Sequence, residues 1–255
     1  MRRFICIAAL WAIVIFSYGQ DHYNSSLIEL PKVTSRPSEI IVSHIGYTAS
    51  YNTDWKIPNW VAYKLSFLET LGETPRKKVK FMPDPLIDES LLPTHEDYTN
   101  SGYSRGHMAP AADMKWSEQA MLESFYLTNV CPQNPSMNSG VWNRIEQHVR
   151  TMIEKWGDVY ICCGPIVERQ HNTIGVKKVA VPSHFYKVLC RKDKKTHNWM
   201  SIGFIIPNEP QLHKSMFDFA CSVDEVESKT GIDFFHNLPD NIENYIEKDF
   251  SIKYW

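Results

Sequence analysis

The run SGYSRGHMAPAADMKW holds Ser104, Arg105, Gly106 and His107 side by side, with no large apolar side chain among the four. An imidazole of ordinary pKa, ~6.5, is mostly neutral near pH 7 and has a nitrogen free to accept a proton. His107 is therefore a candidate general base, and Gly106 is expected to let the backbone turn tightly so that the ring projects. Taken alone, a histidine near a strand end reads more simply as a satisfied structural residue. The chain has 10 histidines and none forms the HExxH pair of a zinc site.

A second polar constellation follows in FYLTNVCPQNPSMNSGVWNRIEQHVR. Asn129, Asn134, Asn138 and Asn143 crowd the approach to a helix that also carries Glu146 and Arg150. Asparagines there cap helices and favour turns. At about 100° per residue, Glu146 lies roughly 80° and Arg150 roughly 120° round from Asn138, so the three fit one polar sector. Glu146 and Arg150 are four apart, which also suits an ordinary surface ion pair of small value.

These residues need a frame. Trp142, Ile145, Val149, Met152, Ile153 and Trp156 recur at three- and four-residue steps, an apolar stripe that predicts one long helix over 134–156, ended by Gly157. Stretches 39–52, 60–68, 158–167, 177–190 and 198–208 are rich in β-branched and aromatic residues and read as strands. Residues 117–130 read as a short helix running into a strand. Segment 81–103, with three prolines and several acids, reads as a long surface connection. Residues 222–231 form a short helix in which Ser222 caps, Glu225 reaches back and Gly231 stops. Strands and helices do not alternate regularly. The expected fold is α+β, a central, largely antiparallel sheet flanked by helices. Composition, 43% hydrophobic and 22% charged, suits a single core, placed at 38–255 after a flexible lead-in at 20–37.

Residues 1–19 stand apart. Arg2 and Arg3, the 13-residue apolar run Phe4–Phe16, and the small residues Ser17 and Gly19 have the layout of a signal peptide. The expectation is export, to a periplasmic or secreted location, with an uncleaved membrane anchor as the alternative. Without that leader the chain keeps 25 basic and 29 acidic side chains, which excludes a globally basic nucleic-acid binder. Any attraction to an anionic polymer then comes from a local patch or a bound cation. Of the cysteines, Cys131, Cys162, Cys163, Cys190 and Cys221 remain, none with Cys-x-x-Cys spacing. Most read as small buried hydrophobes.

Together the blocks SRGHMAPAAD, TNVCPQ and NSGVWNRIEQHVR, with WVAYKLS before them and GPIV, VAVPSHFYKV and TGIDFFHNLPD after, resemble the DNA/RNA non-specific endonucleases. The resemblance covers roughly residues 40–240. It implies a ββα-metal (His-Me finger) site acting on DNA and/or RNA. It implies His107 as the base, Asn138 as the direct ligand of Mg2+ (Mn2+ a possible substitute), and Glu146 as holder of a metal-bound water. Arg105 and Arg150 are then candidates for phosphate contacts, because guanidinium forks match phosphate oxygens. Asn129 is a candidate to orient His107 or the phosphate. Ser104 departs from the family, which has Asp there. A catalytically impaired nucleic-acid-binding homologue is the alternative this departure leaves open.

Overall fold

The computed structural model describes residues 27–32, 38–76 and 79–255. Its strands are β1 Glu39–Ser43, β2 Thr48–Asn52, β3 Ile57–Leu65, β4 Ser104–His107, β5 Val130–Gln133, β6 Val159–Ile166, β7 Thr173–Ile174, β8 Val179–Ala180, β9 His184–Lys192, β10 Trp199–Pro207 and β11 Ala220–Cys221. Its helices are α1 Phe67–Thr70, α2 His95–Tyr98, α3 Glu118–Glu123, α4 Pro135–Met137, α5 Asn143–Trp156, α6 Val223–Thr230 and α7 Asp240–Lys248. One seven-stranded sheet runs β1-β2-β3-β6-β9-β10-β11, every neighbouring pair antiparallel. The expected α+β class and antiparallel sheet are what the chain forms.

Alternation along the central strands gives the sheet two buried faces. Val159, Ile161 and Cys163 of β6 share one core with Trp142, Ile145, Val149, Ile153 and Trp156, the stripe read from the sequence. Tyr160 and Cys162 of the same strand share the other core with Val223 and Val226 of α6 and Ile246 of α7. The adjacent cysteines thus point to opposite faces. All five described cysteines are buried and free, and burial pushes their thiols up.

Several boundaries differ from the sequence reading. The strand expected over 60–68 stops at Leu65, because the Ser66 hydroxyl accepts from Glu69 N and the Glu69 carboxylate accepts from Ser66 N, a capping box that opens α1. The strand expected over 177–190 is broken between β8 and β9 at Val181-Pro182-Ser183, since proline cannot donate to a ladder. Segment 81–103 is no bare surface loop: it buries Asp84, Asp97 and Tyr98 and contains α2. At α6, Ser222 Oγ accepts from Glu225 N at 3.2 Å and Gly231 takes φ 65°, as expected, but the Glu225 carboxylate makes no return bond to Ser222 N among the described residues.

The lead-in expected at 20–37 is described only over 27–32, and there it is docked. Ile28 is buried in the second core, and Lys32 N donates to Asp233 O at 2.8 Å. The leader expected at 1–19 lies outside the described residues.

Candidate active site

β4 and β5 form a separate antiparallel pair, with Gly106 opposite Cys131 and His107 opposite Val130. The chain leaves β5 at Asn134, whose Oδ1 accepts from Ser136 N at 3.0 Å and Met137 N at 3.2 Å, and Pro135 opens the helix. Two strands followed by a helix is the ββα order expected. The helix itself is not continuous. A π-turn over Asn138–Trp142 separates α4 from α5, and Gly140 inside it has φ −94° and ψ −108°. The regular-helix angles used for Asn138, Glu146 and Arg150 therefore do not hold, because a π-turn inserts a residue into the spiral.

The three nevertheless meet. Asn138, Glu146 and Arg150 line one cavity of about 300 Å3 together with His107 and Arg105. Arg76 and Asn143 line it too. The volume is at the small end of the ~300–1,000 Å3 usual for ligand sites. A larger cavity of about 540 Å3, between His171 and His184, contains none of them.

His107 packs against Phe81 at 5.0 Å and edge-on against Phe125 at 4.9 Å between ring centroids. Its Nε2 is shut away from solvent with no hydrogen-bond partner among the described residues, while the residue as a whole is half-buried and lines the cavity. Burial, then the charge of Arg76, hold the imidazole down at about 3. Gly106 is not in a left-handed conformation, contrary to the tight turn expected. It is needed because a Cβ there would collide with the Gln133 side chain.

Glu146 is 9% exposed and pushed up to about 7. Burial is the main cause; the Lys187 and Arg150 charges oppose it and Asp113 adds to it. Arg150 does not pair with Glu146: its Nη1 donates to Asp113 Oδ1 at 2.6 Å. Arg105 Nη2 donates to His95 O at 2.6 Å and to Thr99 Oγ1 at 3.1 Å, with the guanidinium over the Tyr98 ring. The Asn138 side chain has no hydrogen-bond partner among the described residues and faces the cavity.

Two named residues lie away from the cavity. Asn129 is fully buried; its Oδ1 accepts from Ala109 N and its Nδ2 donates to Ala109 O and Ser124 O, each at 2.8 Å. It fixes the backbone two residues beyond His107 and offers nothing to a phosphate. Ser104 sits opposite Gln133 in the ladder and does not line the cavity. Three residues escaped the sequence reading. Asp113 closes the opening motif's own run, Arg76 stands in the basic run Arg76-Lys77-Lys78, and Lys187 is a lysine inside an apolar strand with its ammonium 4.4 Å from the Trp142 ring centroid.

The model of the DNA/RNA non-specific endonuclease family matches residues 28–241. The chain belongs to this family. The mitochondrial nuclease EXOG of Danio rerio is 41% identical over 250 residues, covering 91% of this chain and 71% of that protein. The EXOG of Homo sapiens is 38% identical over 208 residues, and here the match covers 76% of this chain but only 56% of the relative. A crystal structure of the EndoG/EndoGI complex superposes with a TM-score of 0.76 at 29% identity, covering 84% of this chain and 90% of that one.

The names of the most similar relatives overturn one expectation. The EXOG relatives of fish, frog, mouse and human are named mitochondrial nucleases, not exported ones, so the periplasmic or secreted location is withdrawn. Its basis was a basic, acid-free, apolar start. Organellar transit sequences are also basic and poor in acids, so the charge pattern does not separate the two.

Proposed function

We propose that this chain is a divalent-cation-dependent endonuclease that hydrolyses phosphodiester bonds in DNA and/or RNA, with a mitochondrial location like that named for its EXOG relatives. One observation carries the reading. An imidazole from β4, an amide from the π-turn, a carboxylate from α5 and guanidiniums from separate segments line a single small cavity.

The donor set fits a hard cation. Asn138 presents an unpartnered side-chain amide to the cavity, and the nearby carboxyl of Glu146 is held up at about 7, a group that a cation would readily ionise. Asn138 would be the direct ligand and Glu146 would hold an ion-bound water, with Mg2+ the expected ion and Mn2+ a substitute. Such an ion supplies Lewis-acid stabilisation of the phosphate and of the departing 3′ oxygen.

The chain's own residues do the rest. His107 Nε2 is buried without a partner among the described residues, which leaves Nδ1 as the nitrogen to accept a proton. Nδ1 takes the proton from the attacking water as its oxygen bonds to phosphorus and the bond to the 3′ oxygen breaks. Arg76, Arg105 and Arg150 outnumber Glu146 at the cavity wall, so an acidic chain still presents a local positive field to a polyanion. Contacts of this kind go to phosphate, which carries no sequence information.

Incubating supercoiled plasmid and, separately, single-stranded RNA with the purified protein and Mg2+ tests the reading. Cleavage is expected, abolished by EDTA and reduced at least ~100-fold in His107→Ala. Binding without cleavage in the wild-type protein would favour the impaired-homologue reading instead.

A further inference from the structure

On the sheet face opposite the cavity, α6 and α7 bring three carboxylates together. Asp224 and Glu227 are three apart on α6 and share a face. Glu247 comes from the last turn of α7. One oxygen from each of the three lies within 4.8 Å of the other two. None of them joins an ion pair among the described residues.

Glu247 separates this group from an ordinary acidic surface. Its side chain is only 4% exposed, and its Oε1 is buried with no hydrogen-bond partner among the described residues. A carboxylate oxygen left so costs several kcal/mol of solvation unless it is neutralised. Neighbouring packing keeps it in place: Ser201 Oγ donates to Ile246 O at 2.6 Å, tying α7 to β10. Glu227 is oriented as well, its Oε1 accepting from Phe234 N at 2.7 Å. Asp224 and Glu227 beside this buried, unpartnered oxygen leave two resolutions, a proton or a cation.

We propose that Asp224, Glu227 and Glu247 bind a hard divalent cation of the Ca2+ class, clamping α6 to α7 at a site separate from the catalytic cavity. The donors are all oxygens, which excludes the softer transition metals as preferred ions. Ca–O distances of about 2.3–2.6 Å let two ligands of one ion lie up to about 4.6–5.2 Å apart, and the three oxygens, all within 4.8 Å of one another, come inside that limit. Mg2+, at about 2.0–2.1 Å and slow to shed water, fits three converging carboxylates less well.

Thermal melting and calorimetric titration of the full chain test the site without any nuclease assay. CaCl2 added after EDTA treatment is expected to raise Tm by about 5 °C at a hundredfold excess over Kd, and to do so equally in Asn138→Ala. MgCl2 should raise it less in that variant. The Asp224→Asn/Glu227→Gln protein should fold in EDTA with a Tm no lower than wild type, because like charges have been removed, and should lose both the CaCl2 increment and one calorimetric binding event. Glu247→Gln should lose them too. The proposal is overturned if the increment persists in the double variant, if it vanishes in Asn138→Ala, or if CaCl2 gives none in the wild-type protein.

Discussion

Arg150 on α5 and Asp113, six residues past His107, form a 2.6 Å ion pair, and Tyr63 of β3 donates to the other oxygen of the same carboxylate at 2.9 Å. The continuation of β4, the long helix and the central sheet are thereby joined at one buried carboxylate. Asp113 is 2% exposed, so removing either partner strands a charge in the interior.

The first prediction follows from that pairing. Asp113→Ala is expected to cost about 3 kcal/mol of stability, the lower end for breaking a buried pair. In the Asp113→Ala background, Arg150→Met should then cost much less than it does alone, giving a coupling energy of about 1–3 kcal/mol. Urea unfolding of the two single variants, the double variant and the wild type measures this. Additive losses would show that the pair is not coupled.

The cavity contributes two opposing pH slopes to metal-free stability. His107 sits at about 3 in the fold against an ordinary 6.5, so between those values the unfolded chain binds the extra proton and stability rises with pH. Glu146 sits at about 7 against an ordinary 4.5, so between those values the folded chain binds the extra proton and stability falls as pH rises. The windows overlap from 4.5 to 6.5, where the two effects largely cancel. Glu146→Gln removes one slope and keeps that of His107, so relative to the wild type this variant in EDTA should lose on the order of 2 kcal/mol as pH falls across the overlap. His107→Gln should gain stability over the same fall. Urea midpoints at three pH values decide it, and parallel curves for all three proteins would refute it.

Asn138→Ala tests the amide's place in the cavity. Removing an unpartnered side chain that faces solvent-filled space should leave the melting temperature in EDTA almost unchanged. Cleavage should fall at least ~100-fold, and the Mg2+ concentration giving half the maximal rate should rise by about 10-fold or more. A rate profile against MgCl2 and against MnCl2 checks both. An unchanged half-saturation point would remove Asn138 from the ion's ligands.

How much of this was legible in the sequence depended on how local the cause is. The α5 stripe from Trp142 to Trp156 was readable because one face of one helix meets one sheet, and period alone encodes that. The Ser222 cap and the Gly231 stop were readable because their partners lie within four residues. Asp113 was not, since its partners are 37 and 50 residues away and an aspartate in a loop looks the same whether it meets an arginine or water. The π-turn at Asn138 was hidden for a different reason: Gly140 weakens a helix without announcing an inserted residue. α7 went unnoticed because its sequence, DNIENYIEK, is mostly polar and buries only Ile246 and Glu247.

Gly106 offers the last prediction, because the sequence named the residue correctly and the reason wrongly. Its backbone is ordinary extended strand, paired with Cys131, so alanine meets no conformational penalty. The obstacle is the Gln133 side chain, fully buried and lying over the glycine's α-carbon, with both its amide atoms lacking a hydrogen-bond partner among the described residues. Gly106→Ala should therefore cost about 1–3 kcal/mol by overpacking, and should slow cleavage as well, because the displaced strand carries His107. Were backbone freedom the cause, no change at residue 133 would help. With Gln133 as the cause, Gln133→Ala in the Gly106→Ala background should recover most of the lost stability. Chemical denaturation of the single and double variants separates the two explanations, and a double variant no more stable than Gly106→Ala would return the glycine to a conformational role.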